Sequence, residues 1–184
     1  MQVRITVLIT ESSYWKEPLL ESAIRLKEYS ESNFFEEEKS VQIEKDIFIG
    51  FYSIRKLMDT VKIKDSTKEM KFQIQWSPNI KQVNYINNHY IDELYNLKQS
   101  NQETRTLKFI CDQIVHSYVF MPAEDEKGQL IGFFFTSDRE KNKKLFYISV
   151  QDVINIFNYV GNDYPDNLYS IRNPKTGEFE TKVW

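Results

Sequence analysis

Apolar residues recur along this chain with two different periods, and the switches between them mark its elements. Val3, Ile5, Val7 and Ile9 alternate with Arg4, Thr6, Leu8 and Thr10, a period of two that predicts a strand, with a helix start as the alternative. From Trp15 to about Tyr29 the residues Trp15, Leu19, Ala23, Ile24 and Leu26 recur at helical spacing, and Pro18 falls early enough for a first turn, where a missing N–H costs little. Glu31 to Lys39 is polar and acidic around Phe34 and Phe35 and reads as a connection. A clearer helix follows in Ile43, Ile47, Phe51, Ile54, Leu57, Met58 and Val61. Gly50 weakens it by ~1 kcal/mol relative to alanine, while permitting a close approach by a neighbouring helix. Arg55 and Lys56 fall near its C-terminal turn, where cations complement the helix dipole.

Met70, Phe72, Ile74 and Trp76 alternate with lysine and glutamine as in a half-buried strand, which Ser77-Pro78-Asn79 ends. Tyr90, Ile91, Leu94 and Leu97 predict a helix with Asn87 or Asn88 as N-cap. Ser100-Asn101-Gln102-Glu103 has the form of a capping box and opens a central helix that runs to Tyr118–Phe120, since Pro122 cannot continue it. Two apolar runs, Leu130 to Phe135 and Leu145 to Ile148, flank polar residues Ser137 to Lys144 and predict a hairpin. Ser149 and Asp152 make another capping box, starting a helix through Val153, Ile156, Phe157 and Val160, with Gly161 stopping it as a C′ residue. Asn173 to Gly177 is a turn that joins two short terminal strands. The expectation is an α+β fold: a bundle of four to five helices with a few strands, including a C-terminal hairpin followed by a helix. Residues 1–161 form one domain and 162–184 a tail with a short hairpin.

Composition narrows the class. A chain of 184 residues, 41% hydrophobic and 15% aromatic, fits one domain. Such a chain buries roughly 70% of its unfolded surface without needing disulfides. The formal net charge of −3 gives no global attraction for nucleic acid, so an RNA partner needs a local basic patch. The best clusters are Arg55-Lys56 and Arg139 to Lys144, either of which also reads as a solvated face. One cysteine excludes an internal disulfide and fits a reducing compartment. No apolar run approaches the ~20 residues of a membrane span. Together these point to the cytoplasm.

On a helical wheel of about 100° per residue, the central helix places Leu107, Ile110, Cys111, Ile114 and Tyr118 on one side. Arg105, Phe109, Asp112 and His116 stack on the other at spacings of four, three and four. A purely structural reading is available: Asp112 and His116 form an i, i+4 pair, Phe109 is a packing contact, and Cys111 is a buried small apolar group. As a site, the same stripe presents a cation, an aromatic, a carboxylate and an imidazole on one face.

The stretch Cys111-Asp112-Gln113-Ile114-Val115-His116-Ser117-Tyr118 resembles the final-helix signature of the HEPN superfamily. That signature has an arginine, a polar residue, three further residues and a histidine, commonly followed two positions on by an aromatic. Asp112 matches the polar position, His116 the histidine and Tyr118 the aromatic, while Cys111 stands where the arginine belongs. Active members are metal-independent ribonucleases, often toxins or defence effectors, that act as dimers. The resemblance implies RNA chemistry for His116 with Asp112 orienting it, and only Arg105 to replace the missing transition-state cation. Ile54-Arg55-Lys56-Leu57 together with the later motif is also similar to a loose group of bacterial proteins of no established activity.

Other chemistry is sparse. His89 and His116 lack the spacing of a metal site, and there is no phosphate loop, nucleophile elbow or cofactor motif. The reading is therefore a bacterial HEPN-like protein acting without catalysis. It would bind a protein or RNA partner in a defence or toxin–antitoxin setting, with Phe109 as a binding residue, no metal or cofactor, and a homodimer in prospect. The alternatives are a metal-independent ribonuclease using His116, Asp112 and Arg105, and a purely structural accessory protein.

Overall fold

The structure, a computed structural model, describes residues 9–32 and 36–184. The expected strand at Val3–Thr10 lies outside the described residues except for Ile9 and Thr10, which form a bend; Phe34 and Phe35 also lie outside them. The chain is α+β, with the described elements in the order α1 (Ser13–Glu31), α2 (Glu37–Met58), α3 (Asp65–Lys68), β1 (Lys71–Pro78), α4 (Ile91–Leu94), β2 (Asn101–Thr106), α5 (Leu107–Val115), β3 (Ser117–Glu124), β4 (Leu130–Ser137), β5 (Lys144–Ser149), α6 (Val150–Gly161), β6 (Leu168–Arg172) and β7 (Phe179–Val183).

Sheet and helices share one core. β2-β1-β5-β4-β3 form an antiparallel sheet, with β2 and β3 as its edges. Phe133 and Phe135 of β4, Phe146 and Ile148 of β5 and Ile74 of β1 point from one face into a core shared with α1, α2, α5 and α6. Most of the helical spacing in α2 holds: Ile43, Ile47, Phe51, Ile54 and Leu57 are all fully buried, whereas Val61 lies past the end of the helix and is exposed. Gly50 supplies the expected close contact, since a Cβ there would stand 2.3 Å from the Phe157 ring of α6. On the other face, Val83, Leu94 and Tyr95 from the segment between β1 and β2 cover Val119, Leu145 and Phe134. The β4–β5 hairpin, the Ser149–Asp152 capping box and the β6–β7 hairpin stand where the sequence placed them.

Several expectations change. Pro18 lies inside α1 rather than in its first turn, because the helix starts at Ser13. The carbonyl it leaves unbonded belongs to Tyr14, which is exposed and accessible to water. Between β1 and β2 there is a single turn, α4, with Tyr90 at its N-cap; Asn88 instead donates to the Tyr118 carbonyl. Gly161 is the last residue of α6, and its lack of a side chain serves packing, since a Cβ there would meet Leu20 at 2.5 Å.

The largest change is at Ser100–Glu103, which opens no helix. Residues 101–106 are the edge strand β2, in continuous register with β1 from Lys71↔Thr106 to Trp76↔Asn101. Tertiary pairing overrides a four-residue cap pattern here, and the true N-cap is Thr106, whose hydroxyl accepts from Phe109 N–H at 3.2 Å. The helix also ends early. From Ser117 the β-branched and aromatic residues Tyr118, Val119 and Phe120 enter β3, where Pro122 is tolerated because the strand is an edge.

A basic cavity as the candidate functional site

Shortening the helix disperses the four-residue stripe. Arg105 belongs to β2 and His116 to the C-cap of α5, so they stand at opposite ends of a helix roughly 14 Å long. Arg105 and Phe109 remain together, the guanidinium 4.5 Å from the centre of the Phe109 ring, which meets Phe146 edge-on at 5.4 Å. Glu103 bridges two cations, Arg105 Nε at 2.7 Å and Lys144 Nζ at 2.6 Å, and Lys144 lies over Trp76 at 4.0 Å. Burial pushes the Glu103 carboxyl up, but those two hydrogen bonds and charges outweigh it and hold it below the usual carboxylate range.

Asp112 and His116 do not meet through their side chains. Asp112 accepts from Arg55 Nε at 2.9 Å and Lys108 Nζ at 2.5 Å. Burial raises its pKa, and the Lys108 and Arg55 hydrogen bonds more than reverse the effect. The link from Asp112 to His116 is through the backbone, His116 N–H donating to the Asp112 carbonyl at 3.2 Å. The exposed His116 side chain makes no hydrogen bond or ion pair among the described residues. Tyr118 lies half-buried beneath Lys141 Nζ, 3.4 Å from the ring centre. Cys111 is fully buried and burial pushes its thiol up, away from the reactive thiolate. Among the described residues no three His, Cys, Asp or Glu side chains gather into a metal-binding group, and no described helix is long and apolar enough to cross a membrane.

Around the start of α5 the sequence pattern hides a different constellation. A cavity of about 500 Å³ opens between the C-terminal turn of α2, α3, the first residue of β1 and the N-terminus of α5. Its cations are Arg55, Lys68, Lys71 and Lys108, set against Asp59 and Glu69, with Met58 and Thr106 completing the lining. Arg55 gives Nε to Asp112 and Nη1 to Asp59, leaving Nη2 without a partner among the described residues. Lys71 is exposed and carries no ion pair among them. The N-terminal end of α5 adds the positive pole of its dipole through Thr106 and Lys108. The arrangement can hold an anion: it offers a free ammonium, a spare guanidinium N–H and further cations whose carboxylate partners an anion would displace or join.

Of this set the sequence marked only Arg55, as one half of a basic pair. Lys68, Lys71 and Lys108 come from three separate elements, and nothing in their spacing announces that they meet. The Asp112–Lys108 pair at i, i−4 was the one local signal. No family model, curated protein or solved structure matches the chain.

Proposed function

We propose that this protein is a non-catalytic binding module of HEPN-like character whose partner is RNA, held by its phosphate backbone at the cavity beside the α5 N-terminus. The supporting observation is the convergence of Arg55, Lys68, Lys71 and Lys108 there, with Lys71 and one Arg55 N–H uncommitted among the described residues. Phosphate contacts dominate nucleic-acid affinity and need local positive charge rather than a basic protein. The aromatic Phe109, half-buried under Arg105 in the first turn of α5, is a further candidate contact outside the cavity lining.

Non-catalytic action accords with the state of the motif. The role the motif gives Asp112 is to orient His116, which takes a hydrogen bond between the two side chains. Here the Asp112 carboxylate is engaged by two cations and the exposed imidazole of His116 has no hydrogen-bond partner among the described residues. The test is single-stranded RNA binding at low salt by fluorescence anisotropy. Wild type binds, Lys71→Gln binds several-fold more weakly, and His116→Ala binds like wild type with the RNA intact in every case. RNA cleavage by wild type that His116→Ala lacks would replace this proposal with the ribonuclease alternative.

A further inference from the structure

The sheet face turned away from the helices is covered only in part. Val83, Leu94 and Tyr95 pack with Val119, Leu145 and Phe134. Beside them a cavity of about 540 Å³ stays open, within the range of roughly 300–1,000 Å³ usual for small-molecule sites. Gln75 and Ser77 of β1 reach it because they alternate with Ile74 and Trp76, which pack into the helix-side core.

Two features of β4 build its floor. The register passes from Ala123↔Gly132 to Glu124↔Leu130, so Ile131 is an extra residue with no partner on β3, and this bulge lines the cavity together with Glu124. Gly132 follows. A Cβ there would stand 2.5 Å from the Tyr147 hydroxyl oxygen, so the missing side chain lets the Tyr147 ring lie across the strand. The hydroxyl donates to the Ile131 carbonyl at 2.9 Å, and the Phe134 ring stands 5.1 Å away, centre to centre, tilted by 53° less one degree of strand twist at 52°.

Polar groups wait at both ends. Ser77 is only 7% exposed, yet its hydroxyl has no hydrogen-bond partner among the described residues. Ser100 donates to Gln75 Oε1 at 3.2 Å, which leaves the Gln75 amide N–H groups for a ligand. Glu124, exposed at the end of β3, has no ion pair among the described residues, and no Lys, Arg or His lines the cavity. Asp152 adds negative charge nearby: burial first and Asp152 second push the Tyr147 hydroxyl up, so it stays a neutral acceptor. The cavity is therefore electronegative, the opposite of the one beside α5. A carboxylate beside aromatic rings suits a cation, whereas a phosphate would meet Glu124 uncompensated. We propose that this cavity binds a small aromatic amine, its ammonium at Glu124, its ring against Tyr147 and Phe134, and a polar group at the far end reaching Ser77 and Gln75. Three strand spacings, about 14 Å in all, separate β1 from β3 and leave room for a ring and a short chain between two hydrogen bonds. The inference does not depend on what the basic cavity holds.

Titration of the full chain with three molecules that share one ring separates charge from shape. Tyramine should bind. Its neutral analogue tyrosol should bind about tenfold more weakly, the loss expected for a hydrogen bond to a charged group, and the anion hydroxyphenylpropionate should not bind. Glu124→Gln should abolish the preference for tyramine over tyrosol. Ser77→Ala should weaken both ligands alike by several-fold without lowering the urea midpoint, because the hydroxyl it removes has no partner in the fold. Lys71→Gln should leave tyramine binding unchanged. No binding of tyramine at millimolar concentration, a preference that survives Glu124→Gln, tighter binding of hydroxyphenylpropionate, or a loss of tyramine binding with Lys71→Gln overturns the inference.

Discussion

Asp112 shows how little a residue's type says about its role until its neighbours are known. In sequence it is the carboxylate one helical turn before His116; in the structure it gathers Arg55 from α2 and Lys108 from its own helix. Its folded pKa, like that of Glu103, lies below the ordinary carboxylate value because those cations outweigh burial. A depressed carboxylate contributes stability above its unfolded pKa and loses it as pH falls through the lower folded value. The urea midpoint should therefore fall from neutral pH toward pH of about 3, and Asp112→Asn should flatten part of that dependence. Lys16 makes a second residue-scale case. It is fully buried, its Nζ donating to the carbonyls of Lys62, at 2.8 Å, and Asp163 while lying 3.9 Å from the centre of the Tyr164 ring. Burial pushes its ammonium down and Asp163 partly restores it. Lys16→Met keeps the volume but strands both carbonyls, and should cost about 1–3 kcal/mol in chemical denaturation.

At the scale of elements, what was legible followed from burial. α2, the β4–β5 hairpin and α6 were readable because one face of each is apolar and its period shows. β2 was not readable: its alternation is Asn101, Glu103 and Arg105 on one face and Gln102, Thr104 and Thr106 on the other, polar throughout. With no hydrophobic period to read, the capping pattern at Ser100–Glu103 prevailed, and it took Arg105 into a helix to which it does not belong. The wheel that joined Arg105 to His116 failed for the same reason, whereas Arg105 and Phe109 still meet because Phe109 stands in the first turn after the strand. Element contacts make their own predictions. Gly50→Ala drives a methyl into the Phe157 ring inside a packed core and should destabilise by about 1–3 kcal/mol. Thr106→Ala removes the α5 cap and should cost about 1 kcal/mol. Both are measured by thermal or urea unfolding.

For the whole molecule, the α+β class was legible but the arrangement was not. Antiparallel pairing of β2 with β1, and the passage of α5 from one sheet edge to the other, are long-range facts with no local signature. That same passage assembles the basic cavity, by bringing the start of α5 against the end of α2 and the start of β1. A net charge of −3 gives no sign of it, and Asp59 and Glu69 stand in its lining beside the four cations. The claim that this cavity binds RNA phosphates is tested most directly by the salt dependence of binding. For single strands the slope of log affinity against log salt shrinks by about 0.7 for each phosphate that is no longer neutralised. Wild type should bind single-stranded RNA with a clear negative slope, and Lys71→Gln with Lys108→Gln should make that slope shallower by about 1.4. An unchanged slope in the double variant, or no binding by wild type at low salt, would contradict the account.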